Sequence, residues 1–120
     1  IGNSVTSIGN NAFQSCTSLT SITIPDSVTI LNNGVFYGCN GLTSATIGNS
    51  VTTISNQAFY NCTSLASVTC TATTPPTIQS NTFNNVPATC AIYVPAESVE
   101  AYKAANIWST RADYIQAIQE

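Results

Sequence analysis

Histidine is absent from this chain of 120 residues, and charge is nearly so. Only 6% of the residues are Asp, Glu, Lys or Arg, against about a quarter in a typical soluble domain. The first absence removes the commonest general base and a frequent metal ligand. The second leaves Lys103 and Arg111 as the only basic side chains, within a net charge of −3. That is no footing for a phosphate backbone, so no nucleic-acid partner is expected. Apolar runs approaching the ~20 residues that span a bilayer are also missing, which argues against membrane insertion. The charged and apolar segments of a signal peptide do not appear after Ile1.

What is present is 43% hydrophobic residues, enough for a core in a chain of one-domain length. The polar surface must then come from Ser, Thr and Asn. A 23-residue period organises all of it. Val5, Val28 and Val51 are in register, as are Ile8, Leu31 and Ile54. The same holds for Phe13, Phe36 and Phe59; for Cys16, Cys39 and Cys62; and for Leu19, Leu42 and Leu65. Polar positions repeat too, with Asn10, Asn33 and Asn56 in one column and Thr23, Thr46 and Thr69 in another. One residue inserted near Pro75–Pro76 brings out a fourth, degenerate copy. In it Ile78, Phe83 and Val86 stand for Ile54, Phe59 and the cysteine, and Ile92 and Val94 form the strand pair.

A unit this short cannot bury its own apolar face, so neighbours must stack into a solenoid. "TSITI" alternates small polar and branched apolar residues, as a strand with one buried face does. It directs Ile22 and Ile24 inward and Ser21 and Thr23 outward. "SVTSI" at Ser4 reads as a second short strand, and "NNAFQSC" as a turn with a short helical or 3₁₀ piece. The expected fold is an α/β-type repeat solenoid with a parallel sheet. Residues 1–94 supply three regular coils and one degenerate coil, and 95–120 a capping segment.

The pattern Val-x-x-Ile-x-x-x-Ala-Phe-x-x-Cys-x-x-Leu-x-x-Ile-x-Ile, from Val5 to Ile24, resembles the BspA-type leucine-rich repeat. "IYVPAESVEAYKAANIW" is similar to the tail that closes such arrays. The resemblance implies a right-handed leucine-rich-repeat superhelix with a helical C-terminal cap. It also implies an extracellular or cell-surface bacterial setting and adhesion to a protein, host-matrix or glycan ligand. No catalytic residue and no cofactor come with it.

The cysteine column invites chemistry, and geometry argues against it. Stacked coils separate equivalent Cα atoms by about 4.8 Å, yet parallel side chains hold the Cβ atoms too far apart for an easy disulfide. Zinc wants about four converging ligands, and these thiols lie along a line. A nucleophile wants a base or a lowered pKa, and residues 1–94 carry a single charged residue, Asp26. Cysteine here reads as a small buried hydrophobe. Cys70 and Cys90, in other columns, are expected to be free.

The candidate binding face is the outward strand surface: Ser21, Thr23, Ser44, Thr46, Ser67 and Thr69. A sheet of hydroxyls can bind proteins or glycans, and it can equally be a solvated face with good β propensity. Tyr37 and Tyr60 are either an exposed aromatic pair or packing beside the phenylalanines. The asparagine column reads as turn chemistry, in which Asn bonds its own backbone and accepts unusual dihedrals. Asn61-Cys62-Thr63 fits the glycosylation acceptor pattern but overlaps a core cysteine.

The last 26 residues hold six of the seven charges. "AESVEAYKAA" has acids in its first turn and Lys103 near its end, as a helix dipole favours. With Trp108, Tyr114, Ile115 and Ile118, Val99 and Tyr102 are expected to cover the last coil and end the sheet. Ile1 opens on a repeat boundary, which suggests upstream repeats or self-association at that edge. A non-catalytic interaction module is the favoured function, and a passive spacer array the alternative. Enzyme activity is not expected, because acid–base chemistry needs groups these repeats lack.

Overall fold

The computed structural model describes residues 4–118; Ile1, named above, lies outside them, as does Glu120, one of the six charges of the last segment. Strands β1 (Ser21–Ile24), β3 (Ser44–Ile47), β5 (Ser67–Cys70), β6 (Ala91–Val94) and β7 (Ile115–Ala117) form one sheet in that order. All of its pairings are parallel, and Thr23 faces Thr46, which faces Thr69. The repeat is thus the register: equal sequence spacing puts like residues side by side. The inserted residue in the degenerate copy is absorbed before Ile78, so Val68 still meets Ile92.

The second strand exists as well, though each piece is two residues long. β2 (Ile30–Leu31) pairs with β4 (Thr53–Ile54), and bridges to Ile8 and Thr77 extend the ladder on both sides. Its alternation buries Leu31 and Ile54 and leaves Ile30 41% exposed.

Between the two sheets the chain is neither helix nor 3₁₀, which corrects the reading of "NNAFQSC". It is a run of turns in which alternate amides bond within and between coils. Gln14 and Cys16 donate back to Asn11 and Phe13, while Asn11, Phe13 and Ser15 donate to Asn33, Val35 and Tyr37 of the next coil. Helical bonding would use up the amides that hold the coils together. The alternation needs a left-handed backbone at Asn11, Gly34 and Gln57 and again at Ser15, Gly38 and Asn61. The unusual dihedrals therefore fall one residue after the asparagine column, not on it.

The core between these surfaces is a set of ladders. Phe13, Phe36, Phe59 and Phe83 stack at centroid spacings of 5.5, 5.3 and 5.3 Å, and Trp108 closes the series, tilted, at 5.8 Å. Such ring pairs add about 0.5–1.5 kcal/mol each beyond their burial.

Past β6 the chain makes a 3₁₀ turn (Ala96–Ser98), helix α1 (Val99–Ala104) and a second 3₁₀ segment (Trp108–Tyr114). These cover the Pro75–Pro76 region, where the insertion lifts carbonyls out of the coil-to-coil ladder. Ser98 Oγ donates to Thr73 O at 2.7 Å, Tyr102 Oη to Ala72 O at 2.7 Å, and Trp108 Nε1 to Pro76 O at 2.8 Å. Buried carbonyls need donors, and the cap supplies them from side chains. Two expectations for this segment need correction. It does not end the sheet, because β7 adds a fifth strand on β6. Nor does Tyr114 cover the coil: the alternation that buries Ile115 turns its neighbour out, leaving it 39% exposed.

Candidate interaction surface

The strand pleat settles which side chains face out. In β3, β5 and β6 alternate residues are buried, so Ala45, Ile47, Val68, Cys70, Ile92 and Val94 point to the core. The six candidate residues point the other way and fall into two columns. Ser21, Ser44 and Ser67 run along one, with Ala91 continuing it; Thr23, Thr46 and Thr69 run along the other. Tyr93 continues the threonine column, and Gln116 follows it. Sequence reasoning missed this aromatic, although the alternation in "AIYV" carried the signal.

Beyond the C-terminal ends of β1 and β3, Thr23, Thr46 and Thr71 border an open groove of about 530 Å³ with Asp26 and Asn49. Asn49 N–H donates to Asp26 Oδ1 at 2.8 Å, which fixes the loop between coils. The groove therefore offers hydroxyls, one carboxylate and no cation.

The thiols are built into the coil joints. Cys39 Sγ donates to Phe13 O at 3.0 Å, and Cys62 Sγ to Phe36 O at 3.2 Å. All five cysteines are free. Burial pushes the Cys39 thiol up, Cys62 and Cys70 up to about 12, and Cys90 up to about 11. A thiol held protonated is a poor nucleophile and a poor metal ligand. Among the described residues, no three His, Cys, Asp or Glu side chains gather into a metal site.

Tyr37 and Tyr60 are half-buried and stack on each other at 4.9 Å with 9° between planes, so each occupies a ring face of the other. The asparagines link coils: Asn10 Oδ1 accepts from Asn33 N–H at 3.2 Å, and Asn61 Oδ1 from Asn85 Nδ2 at 2.6 Å. Thr82 takes the column of Ala12, Val35 and Ala58, and its hydroxyl is buried. It accepts from Gln79 N–H at 2.9 Å and lies 3.1 Å from Ser55 O.

A family model described as "BspA type Leucine rich repeat region" matches residues 1–107 in six copies. The chain belongs to this family. No curated protein matches it. The match reaches past β6 through α1 to Ile107, so part of the cap lies within the BspA-type region. Membership makes the chain a repeat protein of the protein-interaction kind, from a family that is generally non-catalytic. Among the described residues, no helix is long and apolar enough to cross a membrane.

Proposed function

We propose that this BspA-type array is a non-catalytic adhesion module of a bacterial surface or secreted protein, and that it binds through the outward face of its sheet. The observation that carries the reading is the threonine column Thr23–Thr46–Thr69 running into Tyr93. The hydroxyls offer hydrogen bonds at regular spacing on a rigid sheet, and the tyrosine adds the kind of anchor that dominates protein interfaces. Ser21, Ser44 and Ser67 form the second rank. Solenoids commonly bind on such extended surfaces. The low charge favours a neutral protein or glycan partner over an ionic one.

The ligand is an extracellular protein or matrix component. A panel of purified matrix proteins on a biosensor tests this, with the intact chain, the triple variant Thr23→Lys/Thr46→Lys/Thr69→Lys, and Tyr93→Ala. Binding should fall at least ~100-fold in the triple variant, about the loss of one hot spot, with an unchanged thermal melt. Equal binding by the triple variant would refute this face. Silence across the panel would favour the passive spacer.

The first coil supports a second interaction. Val5, Phe13, Cys16, Leu19 and Ile22 are only partly buried, whereas Val28, Phe36, Cys39 and Leu42 are fully so. Further coils of the same array, or a second copy of the chain, would complete that face.

A further inference from the structure

A groove of about 360 Å³ lies between the degenerate coil and the second 3₁₀ segment. Its floor is apolar (Ile78, Phe83 and Ile107), its rim carries the amides of Asn84 and Asn85, and Arg111 lines it. Its size is that of a small-ligand site, and its lining is richer in polar groups than most, with Gln79, Ser80 and Thr110 beside the amides and Arg111.

Arg111 is the only cation in it. Its guanidinium is fixed from behind: Nη1 donates to Pro87 O at 3.0 Å, and Nη2 to Phe83 O at 3.2 Å and Val86 O at 3.3 Å. It also lies 5.7 Å over the Phe83 ring. All of these partners are neutral. Three of its five N–H groups are engaged, so the half-buried guanidinium retains donors, and among the described residues it hydrogen-bonds only to carbonyls. Burial lowers its pKa; a guanidinium stays charged in proteins all the same. A preorganised guanidinium is the group that recognises carboxylate best.

One wall is strained. Ile107 has φ 70 and ψ −43, and Trp108 N–H donates across it to Asn106 O at 2.8 Å. That is a γ-turn of the rare positive-φ form, uncommon for a β-branched residue. Burial of Trp108, with its indole on Pro76 O, holds it there.

We propose that this groove binds an acidic sugar unit, its carboxylate on Arg111 and its hydroxyls on the Asn84 and Asn85 amides. The amide rim selects a polyhydroxylated ligand over a bare anion. The site is separate from the outward sheet face and stands whether or not that face binds anything.

The test titrates the intact chain with D-glucuronate, D-glucose and acetate, read by amide chemical shifts and Trp108 emission. Glucuronate should bind in the millimolar range, at least ~10-fold more tightly than either control, with shifts confined to residues 78–86 and 107–111. Raising salt to about 0.5 M should weaken it. Arg111→Gln should abolish binding. Because Arg111 also holds the coil, Asn84→Asp serves as the second variant, setting a carboxylate on the exposed rim. It should cut glucuronate binding ~10-fold or more with the melt unchanged. Equal binding of glucose would overturn the carboxylate contact, and equal binding of acetate would overturn the sugar. No saturation by about 100 mM, or shifts elsewhere in the chain, would overturn the site.

Discussion

Arg111 Nη2 donates to the carbonyl oxygen of Phe83 at 3.2 Å, where a thiol from the following coil meets Phe13 and Phe36. The cap thus replaces the cysteine of a coil that is not there. A guanidinium reaches further than a thiol and also takes Val86 O and Pro87 O, carbonyls that an end coil would otherwise leave to solvent.

Replacing Arg111 by Met should therefore lower stability by about 2–3 kcal/mol, since charged hydrogen bonds contribute about 1.5–3 kcal/mol each and the site is part-exposed. Urea melts of the intact chain measure this. Arg111→Lys should recover only part of it, because an ammonium cannot fork across separated carbonyls. A Met variant as stable as the wild type would show that the carbonyls are satisfied by water.

The thiols predict an alkaline instability. Their folded pKa values are raised by burial, with Cys62 and Cys70 near 12 and Cys90 near 11, against about 8.5 unfolded. Above the unfolded value the denatured chain loses protons that the native chain retains. Stability should then be full below about pH 8, fall steadily above pH 9, and go on falling until the folded values are passed. Melting temperatures from pH 7 to 10.5 in reducing buffer check the sign. In the native chain a thiol reagent should modify half-buried Cys16 first; under denaturant it should count all five.

Two glycines separate dihedral strain from steric conflict. At Gly34 φ is +63, and an added Cβ would stand 2.1 Å from Asn11 Oδ1, a side-chain atom that can rotate away. Asn11 and Gln57 already adopt this backbone in the same column. Gly34→Ala should cost about 1–2 kcal/mol. At Gly48 the Cβ would meet Pro25 O at 2.6 Å and Ile24 O at 2.7 Å, both backbone atoms in the neighbouring coil. Gly48→Ala should cost more, about 3 kcal/mol, the upper end of overpacking. Thermal melts of both variants test the order, and its reversal would place the constraint at Gly34 in sterics after all.

Much of this was legible because a repeat converts sequence spacing directly into contacts. Once Thr23, Thr46 and Thr69 align in the sequence, their adjacency in the sheet follows, and so does the burial of Cys39 and Cys62. The turn geometry was hidden because Asn11, Gly34 and Gln57 share a dihedral, not a chemistry. The asparagines one residue earlier look more like turn residues, yet the Asn10 side chain serves as a link to the next coil. β7 escaped notice because Ile115–Ala117 is too short to show a period and follows a helical composition. Arg111 escaped because its partners lie 24 to 28 residues away and are carbonyls, which leave no mark in a sequence. In the candidate face, the threonine column was readable from periodicity. Tyr93 was passed over because the degenerate copy keeps the strand alternation but puts a tyrosine where the column has threonine.

The stack of phenylalanines ends on Trp108, the chain's single tryptophan, while the stacked tyrosines sit in the second and third coils. Tyr93, Tyr102 and Tyr114 lie with Trp108 towards the capped end, so with those three changed to Phe the remaining tyrosines report on the middle coils and the tryptophan on the cap. In that variant, fraying from the first coils will change tyrosine emission in milder denaturant than tryptophan emission. A whole-body transition will move both together. The molecule carries its own gauge of how far along its axis cooperativity extends.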